Sequence, residues 1–222
     1  MIFPIGDDDI KGGHYPLFSY GFIALNVLVF IYQANLPQGQ LQSFIYTYGA
    51  IPAETSQGQD LLTVLTSIFL HGGLGHLLGN MLFLWIFADN IEATIGNVRF
   101  FLFYIAGGIA AYLVHFYFNV GSSTPTVGAS GAISAVMGAY LVMFPRSRVK
   151  LFFFFFIFRI PAFIFLGIWF WQQWSSGTAS LRGPAEATGI AYWAHIGGFF
   201  FGALLGLYFR SNSNDDAELV PS

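Results

Sequence analysis

Between Leu17 and Phe209 the chain carries only 11 charged side chains in 193 residues. A soluble domain holds roughly 25% charged residues, so water cannot cover the outside of this stretch. The other charges crowd into the two ends, at Asp7, Asp8, Asp9 and Lys11 and at Arg210, Asp215, Asp216 and Glu218. This distribution excludes a soluble enzyme, a nucleic-acid binder and a disordered chain, and demands a multi-spanning protein partnered by the lipid bilayer. The formal net charge of −3 is too small to signal an electrostatic partner, and without cysteine there are neither disulfides nor thiolate chemistry.

A bilayer core of roughly 30 Å is crossed by about 20 apolar residues of helix. Six apolar runs stand as spans, at 17–36, from His76 to Ile91, at 98–118, 127–144, 151–174 and 190–209. The run at 61–70 is too short to cross and is expected as an interfacial or re-entrant piece of the first loop. Strand-type alternation is absent, so the expected fold is an all-α membrane bundle of six helices, not a β-barrel. The phenylalanine run 152–156 is expected on a lipid-facing wall of the fifth helix, with Arg159 and Pro161 inside that helix. Lys11, Arg99, the Arg146, Arg148 and Lys150 cluster and Arg210 fall on one side of the spans, and only Arg182 on the other. The basic side is cytoplasmic by the positive-inside rule, with both termini. The expected division is a cytoplasmic N-terminal tail (1–16), a six-helix domain (17–210) and a cytoplasmic C-terminal tail (211–222). The loops 37–72, 119–126 and 175–189 face outward. No cleavable signal peptide or transit peptide is evident, as expected for a bacterial plasma membrane protein.

Polar side chains inside a membrane are costly, so each is a functional candidate. They are Asn26, His71, His76, Asn80, His115, Ser130, Ser134, Arg159 and His195. At about 1.5 Å per residue, Ser130 lies roughly 5 Å into the fourth run and His195 roughly 8 Å into the sixth, both from the outer end. Asn80 lies roughly 12 Å past Gly72, so three helices bring polar groups to the outer half of the membrane. Small residues repeat every four positions at Ser130, Ser134 and Gly138, and at Ala194, Gly198, Gly202 and Gly206. Such stripes allow membrane helices to approach closely. If the two face each other, Ser130 and His195 come within reach as a nucleophile and its general base. Gly128 and Gly131 flank Ser130 at a helix N-terminus, where backbone N–H groups can hold an oxyanion. Asn80, and His76 one turn earlier, can add donors.

The segments His71-Gly-Gly-Leu-Gly-His76-Leu-Leu-Gly-Asn80, Gly128-Ala-Ser130-Gly131 and Ala194-His195-Ile-Gly-Gly198 resemble the three motifs of the rhomboid intramembrane serine proteases. They occur in the family's order on runs two, four and six, and Glu92-Ala-Thr-Ile-Gly96 resembles its acidic-to-Gly element. The resemblance implies a six-helix core with a site open to an external aqueous cavity. It implies Ser130 as nucleophile, His195 as general base in a dyad, and an oxyanion hole of His76, Asn80 and the Ser130 backbone. It implies transmembrane segments as substrates and a fifth helix that moves to admit them. Many members carry a Trp-Arg pair in the first external loop. This chain has Thr66-Ser-Ile-Phe69 there and no Arg in the loop.

The other polar residues read as structural: His71 near the interface, a hydrogen-bonded His115, a snorkelling Arg159, and Glu92 with Arg99 at a cytoplasmic turn. Trp169, Trp171 and Trp174 read as an interfacial belt. No metal or cofactor is expected, since His71 and His76 are five residues apart and no His-Glu-x-x-His occurs. The alternatives are a catalytically silent relative that binds membrane helices, which should lack Ser130 or His195, and a small transporter, which should show two-half symmetry.

Overall fold

A computed structural model of the chain describes residues 2–10, 15–181, 189–212 and 219–221. Lys11 and Arg182, both used to orient the chain, lie outside the described residues. Nine α-helices and five short strands are described. They run β1 (Ile2–Gly6), β2 (Asp8–Ile10), α1 (Leu17–Ala34), α2 (Gln38–Tyr48), α3 (Pro52–Thr55), α4 (Thr63–Thr66) with a 3-10 turn at Ser67–Phe69, and α5 (Leu74–Ile95). Then come α6 (Asn97–Asn119), α7 (Ser130–Met143), β3 (Arg148–Phe153), β4 (Phe156–Pro161), α8 (Ala162–Ser180), α9 (Tyr192–Asn212) and β5 (Leu219–Pro221).

Helices α1, α5, α6 and α9 are long and apolar enough to cross a bilayer, while α7 is apolar but only 14 residues long. The protein is a mostly helical integral membrane protein. The core lies among α5, α6, α7 and α9, where Leu84, Phe87, Phe100, Tyr104 and Tyr140 are fully buried. Helix α1 is fastened from the side. Its first backbone N–H groups have no intrahelical partner, and Glu92 of α5 supplies one. The fully buried carboxylate accepts Phe18 N–H and Ser19 N–H at 2.8 Å each and the Ser19 hydroxyl at 2.7 Å. Four residues on, Gly96 (φ +82°) occupies the left-handed backbone that lets α5 turn directly into α6.

The loop between α1 and α5 is largely helical and pinned without the Trp-Arg pair. Ala50 and Thr126 exchange backbone hydrogen bonds at 3.1 and 2.8 Å. Gly128 N–H donates to Ser67 O at 2.9 Å, and the Thr55 and Tyr112 hydroxyls meet at 2.7 Å. Buried Ile68 fills the notch at Gly108 of α6.

The fifth run corrects the sequence expectation. Residues 151–160 are not helix: β3 and β4 form an antiparallel hairpin, and α8 begins only at Ala162. Pro161 sits at the helix N-cap, with φ −57° and ψ 142°, a position where a missing N–H costs nothing. Aromatic and β-branched residues before it favour a strand over a helix. The phenylalanine run 152–156 is therefore the end of a hairpin, and Arg159 lies on β4. The first 16 residues also hold more than a tail: β1 pairs with β3 and β2 with β5. Asn90 Nδ2 of α5 donates to Asp7 Oδ2 and Asp8 O, both at 2.9 Å. Tyr140 donates to Asp7 and contacts the Ser147 hydroxyl at 2.7 Å. Asp8 accepts Arg148 N–H at 2.9 Å and pairs with Arg159 at 3.5 Å.

Candidate active site

Helices α7 and α9 pack backbone against backbone, and this brings the two small-residue stripes together. A Cβ built at Gly138 would run into Phe199 O, at Gly198 into Gly131 O, and at Gly202 into Ala135 O. At Gly206 it would lie 2.9 Å from Ala139 Cα. Gly131 lies between Ala111 of α6 and Ala194 of α9, so three helices meet beside Ser130.

Ser130 opens α7 and His195 lies in the first turn of α9. Ser130 Oγ is 2.8 Å from His195 Nε2. On the far side of the ring, Nδ1 is 2.8 Å from Gln173 Oε1, on a buried side chain of α8. An amide oxygen only accepts, so Nδ1 carries the proton and Nε2 is free to accept the Ser130 hydroxyl. Trp169 of α8 covers the imidazole, ring centroids 6.0 Å apart, and packs on Phe199. It thus lines the site, whereas Trp171 and Trp174 are exposed.

Asn80 and His76 project from α5 on the other side of the same space. Asn80 Nδ2 is 2.9 Å from Nε2 of buried His71. His71 is held in turn by Gln33 of α1, which takes the His71 N–H on Oε1 and donates Nε2–H to the His71 carbonyl, both at 3.1 Å. Burial foremost, and then the neighbouring His76, hold the His71 pKa down to about 4. A neutral His71 can accept one Asn80 N–H and leave the other aimed elsewhere. His76 has Nδ1 3.5 Å from Gly72 N, and its ring lies against Gly128. At Gly128, φ is +126° and a Cβ would stand 2.7 Å from His76 Cε1.

A cavity of about 870 Å³ opens between these helices, and Ser130, His195, His76, Asn80, His115 and Trp169 line it. Ser134 also lines the cavity, and Asn26, Ser134 and His115 make local hydrogen bonds. Asn26 bonds the Phe22 carbonyl of its own helix at 2.7 Å, and Ser134 back-bonds Ser130 O at 2.6 Å. His115 contacts Asn119. Sequence reasoning missed Gln173 and Gln33. Each was an amide in a long apolar run, and nothing in the spacing tied either to a histidine.

Apolar helices of membrane-crossing length, packed around an open cavity in which a serine hydroxyl lies 2.8 Å from an imidazole nitrogen, mark a polytopic membrane protein. The chain belongs to the rhomboid family: the Rhomboid domain model matches residues 58–212. Members of that family are generally intramembrane serine proteases. The chain is 32% identical over 193 residues to Rhomboid protease GluP of Bacillus subtilis (strain 168), covering 86% of this chain and 35% of that protein. It is 28% identical over 194 residues to Rhomboid protein 1, mitochondrial, of Saccharomyces cerevisiae (85% and 52%). It is 30% identical over 190 residues to the human Presenilin-associated rhomboid-like protein, mitochondrial (82% and 45%). It therefore spans about a third to a half of the length of these relatives.

Proposed function

We propose that this rhomboid is an intramembrane serine endopeptidase that cleaves transmembrane segments of other proteins. The observation that carries the proposal is the 2.8 Å approach of Ser130 Oγ to His195 Nε2 inside a cavity roomy enough for a peptide and water. Six helices cross the membrane in this reading, α1, α5, α6, α7, α8 and α9. At about 1.5 Å per residue, α7 is about 21 Å long. It stops short of a core of roughly 30 Å, so Ser130 sits below the lipid surface yet faces the cavity. Arg99, Arg146, Arg148, Lys150 and Arg210 then lie on the cytoplasmic face with both termini. A bacterial plasma membrane is the proposed location.

Ser130 Oγ attacks the scissile carbonyl carbon as its proton passes to His195 Nε2. The resulting oxyanion faces the second N–H of Asn80, the His76 ring and the first backbone N–H groups of α7, which have no intrahelical partner. His195 returns the proton to the leaving amine, and the C–N bond breaks to give an acyl-enzyme. A cavity water, deprotonated by His195, then releases the acid and restores Ser130. Gln173 holds the imidazole in the tautomer that these transfers need.

The test uses the protein in proteoliposomes with a fluorophosphonate probe and a single-span substrate. Wild type should label and cleave, Ser130→Ala should do neither, and His195→Ala should lose the label. Cleavage unchanged by Ser130→Ala overturns the proposal, as does a wild-type protein that neither labels nor cleaves, which would leave a binder of membrane helices.

A further inference from the structure

The β3–β4 hairpin ends in a surface that nothing in the proposed reaction uses. Its register sets Lys150 opposite Arg159, and every rung beyond that pair is apolar: Leu151 with Phe158, Phe152 with Ile157, Phe153 with Phe156. The connecting residues are Phe154 and Phe155. Phe155 is 91% exposed, Phe156 71% and Phe154 62%. The hairpin is therefore segregated along its own axis, with a cationic rung at the base and an aromatic tip.

The turn is chemically expensive for a water-facing loop. Phe154 has φ +53°, in the left-handed region that two-residue hairpins normally fill with Asn or Gly. A bulky residue held there is a backbone outlier of the kind that points to function. The sequence places aromatics where a polar turn would be easier to form and easier to solvate.

Position in the fold says what covers the tip. Asn90, which holds Asp7 and Asp8 beside the sheet, lies five residues before the end of α5. At about 1.5 Å per residue this is roughly 7 Å inside a membrane-crossing helix. The sheet is thus seated at the level of the lipid headgroups. The hairpin runs straight into α8 through Pro161. Three apolar rungs at about 3.3 Å each extend roughly 10 Å past the cationic pair, which matches the 5–10 Å to which interfacial segments enter a leaflet. Exposed Arg146 and Arg148 at the base suit phosphate headgroups, while Asp8 offsets part of Arg159.

We propose that this hairpin is a second membrane anchor, a wedge that dips Phe153–Phe156 into the leaflet bordering the α7–α8 end of the bundle. The lipid leaflet is its partner, and the catalytic proposal is not needed for it.

The chain has no cysteine, so one environment-sensitive label can be attached at each engineered site. Phe155→Cys and Phe158→Cys alter exposed positions, with Leu28→Cys as a lipid-facing reference on α1 and Gln57→Cys as a water-facing one. Each full-length variant is placed as a single copy in nanodiscs of phosphatidylcholine and phosphatidylglycerol (7:3), open to quencher on both faces. The label at position 155 should be quenched by nitroxide lipids nearly as strongly as at 28. It should be several-fold less accessible to iodide than at 57, and deeper than at 158. Iodide access equal to that at 57 overturns the proposal. Protection from both quenchers also overturns it, because the tip would then be covered by protein. Protection that appears only in crowded vesicles overturns it in favour of a second copy of the chain.

Discussion

Substituting Gly202 by alanine tests whether the backbone contact between α7 and α9 sets the distance on which the proposed chemistry depends. A Cβ at Gly202 would overlap the Ala135 carbonyl oxygen, and even the carbonyl carbon would be 2.5 Å away. Ordinary contact begins near 3.4 Å, so the helices must part by about 1 Å or more, because backbone cannot rotate aside as a side chain can. Gly202 is seven residues from His195, about 10 Å along the helix, so the displacement reaches the site. Adding about 1 Å to the 2.8 Å Ser130–His195 distance exceeds the reach of a hydrogen bond. Misplacement on this scale costs on the order of 10²-fold in rate, and overpacking costs about 1–3 kcal/mol in stability. Fluorophosphonate labelling rates and thermal unfolding in detergent measure the two effects. Gly21→Ala, where an added Cβ meets nothing within 4 Å, is the control and should leave both unchanged. Wild-type labelling by a folded Gly202→Ala protein would refute the view that close helix approach positions the pair.

Gln173→Leu should lower kcat about tenfold with KM little changed. It removes one hydrogen bond, of about 1–1.5 kcal/mol, that orients His195 without touching substrate. Gln173→Glu, which keeps an acceptor oxygen, should restore most of that loss; equal losses in both variants would count against a positioning role. For His71, the folded pKa of about 4 lies below the ordinary 6.5. The unfolded chain binds the extra proton between these values, so the contribution is complete above about pH 6.5 and is lost as pH falls toward 4. The slope is at most about 1.4 kcal/mol per pH unit. Thermal unfolding between pH 4 and 7 should be less steeply pH-dependent in His71→Gln than in wild type, by up to this slope.

The membrane class was legible in the sequence because charge scarcity follows from the solvent and not from the fold. Four helices, α1, α5, α6 and α9, follow from hydropathy for the same reason. The small-residue stripes were legible too, since close helix approach leaves a four-residue period in either partner alone. Hydropathy could not tell a buried or lipid-facing helix from the Phe-rich hairpin, because both satisfy the same transfer energy. The difference lay in Pro161 and in a partner strand, β1, more than 140 residues away in the chain. Tertiary structure alone also decided how His195 and Asn80 are held. Gln173 and His71 reach them from α8 and from the loop before α5, and a hydrogen bond between distant segments leaves no period in the sequence. The sequence thus determined the solvent of the chain and named its polar side chains, while packing decided which of them touch.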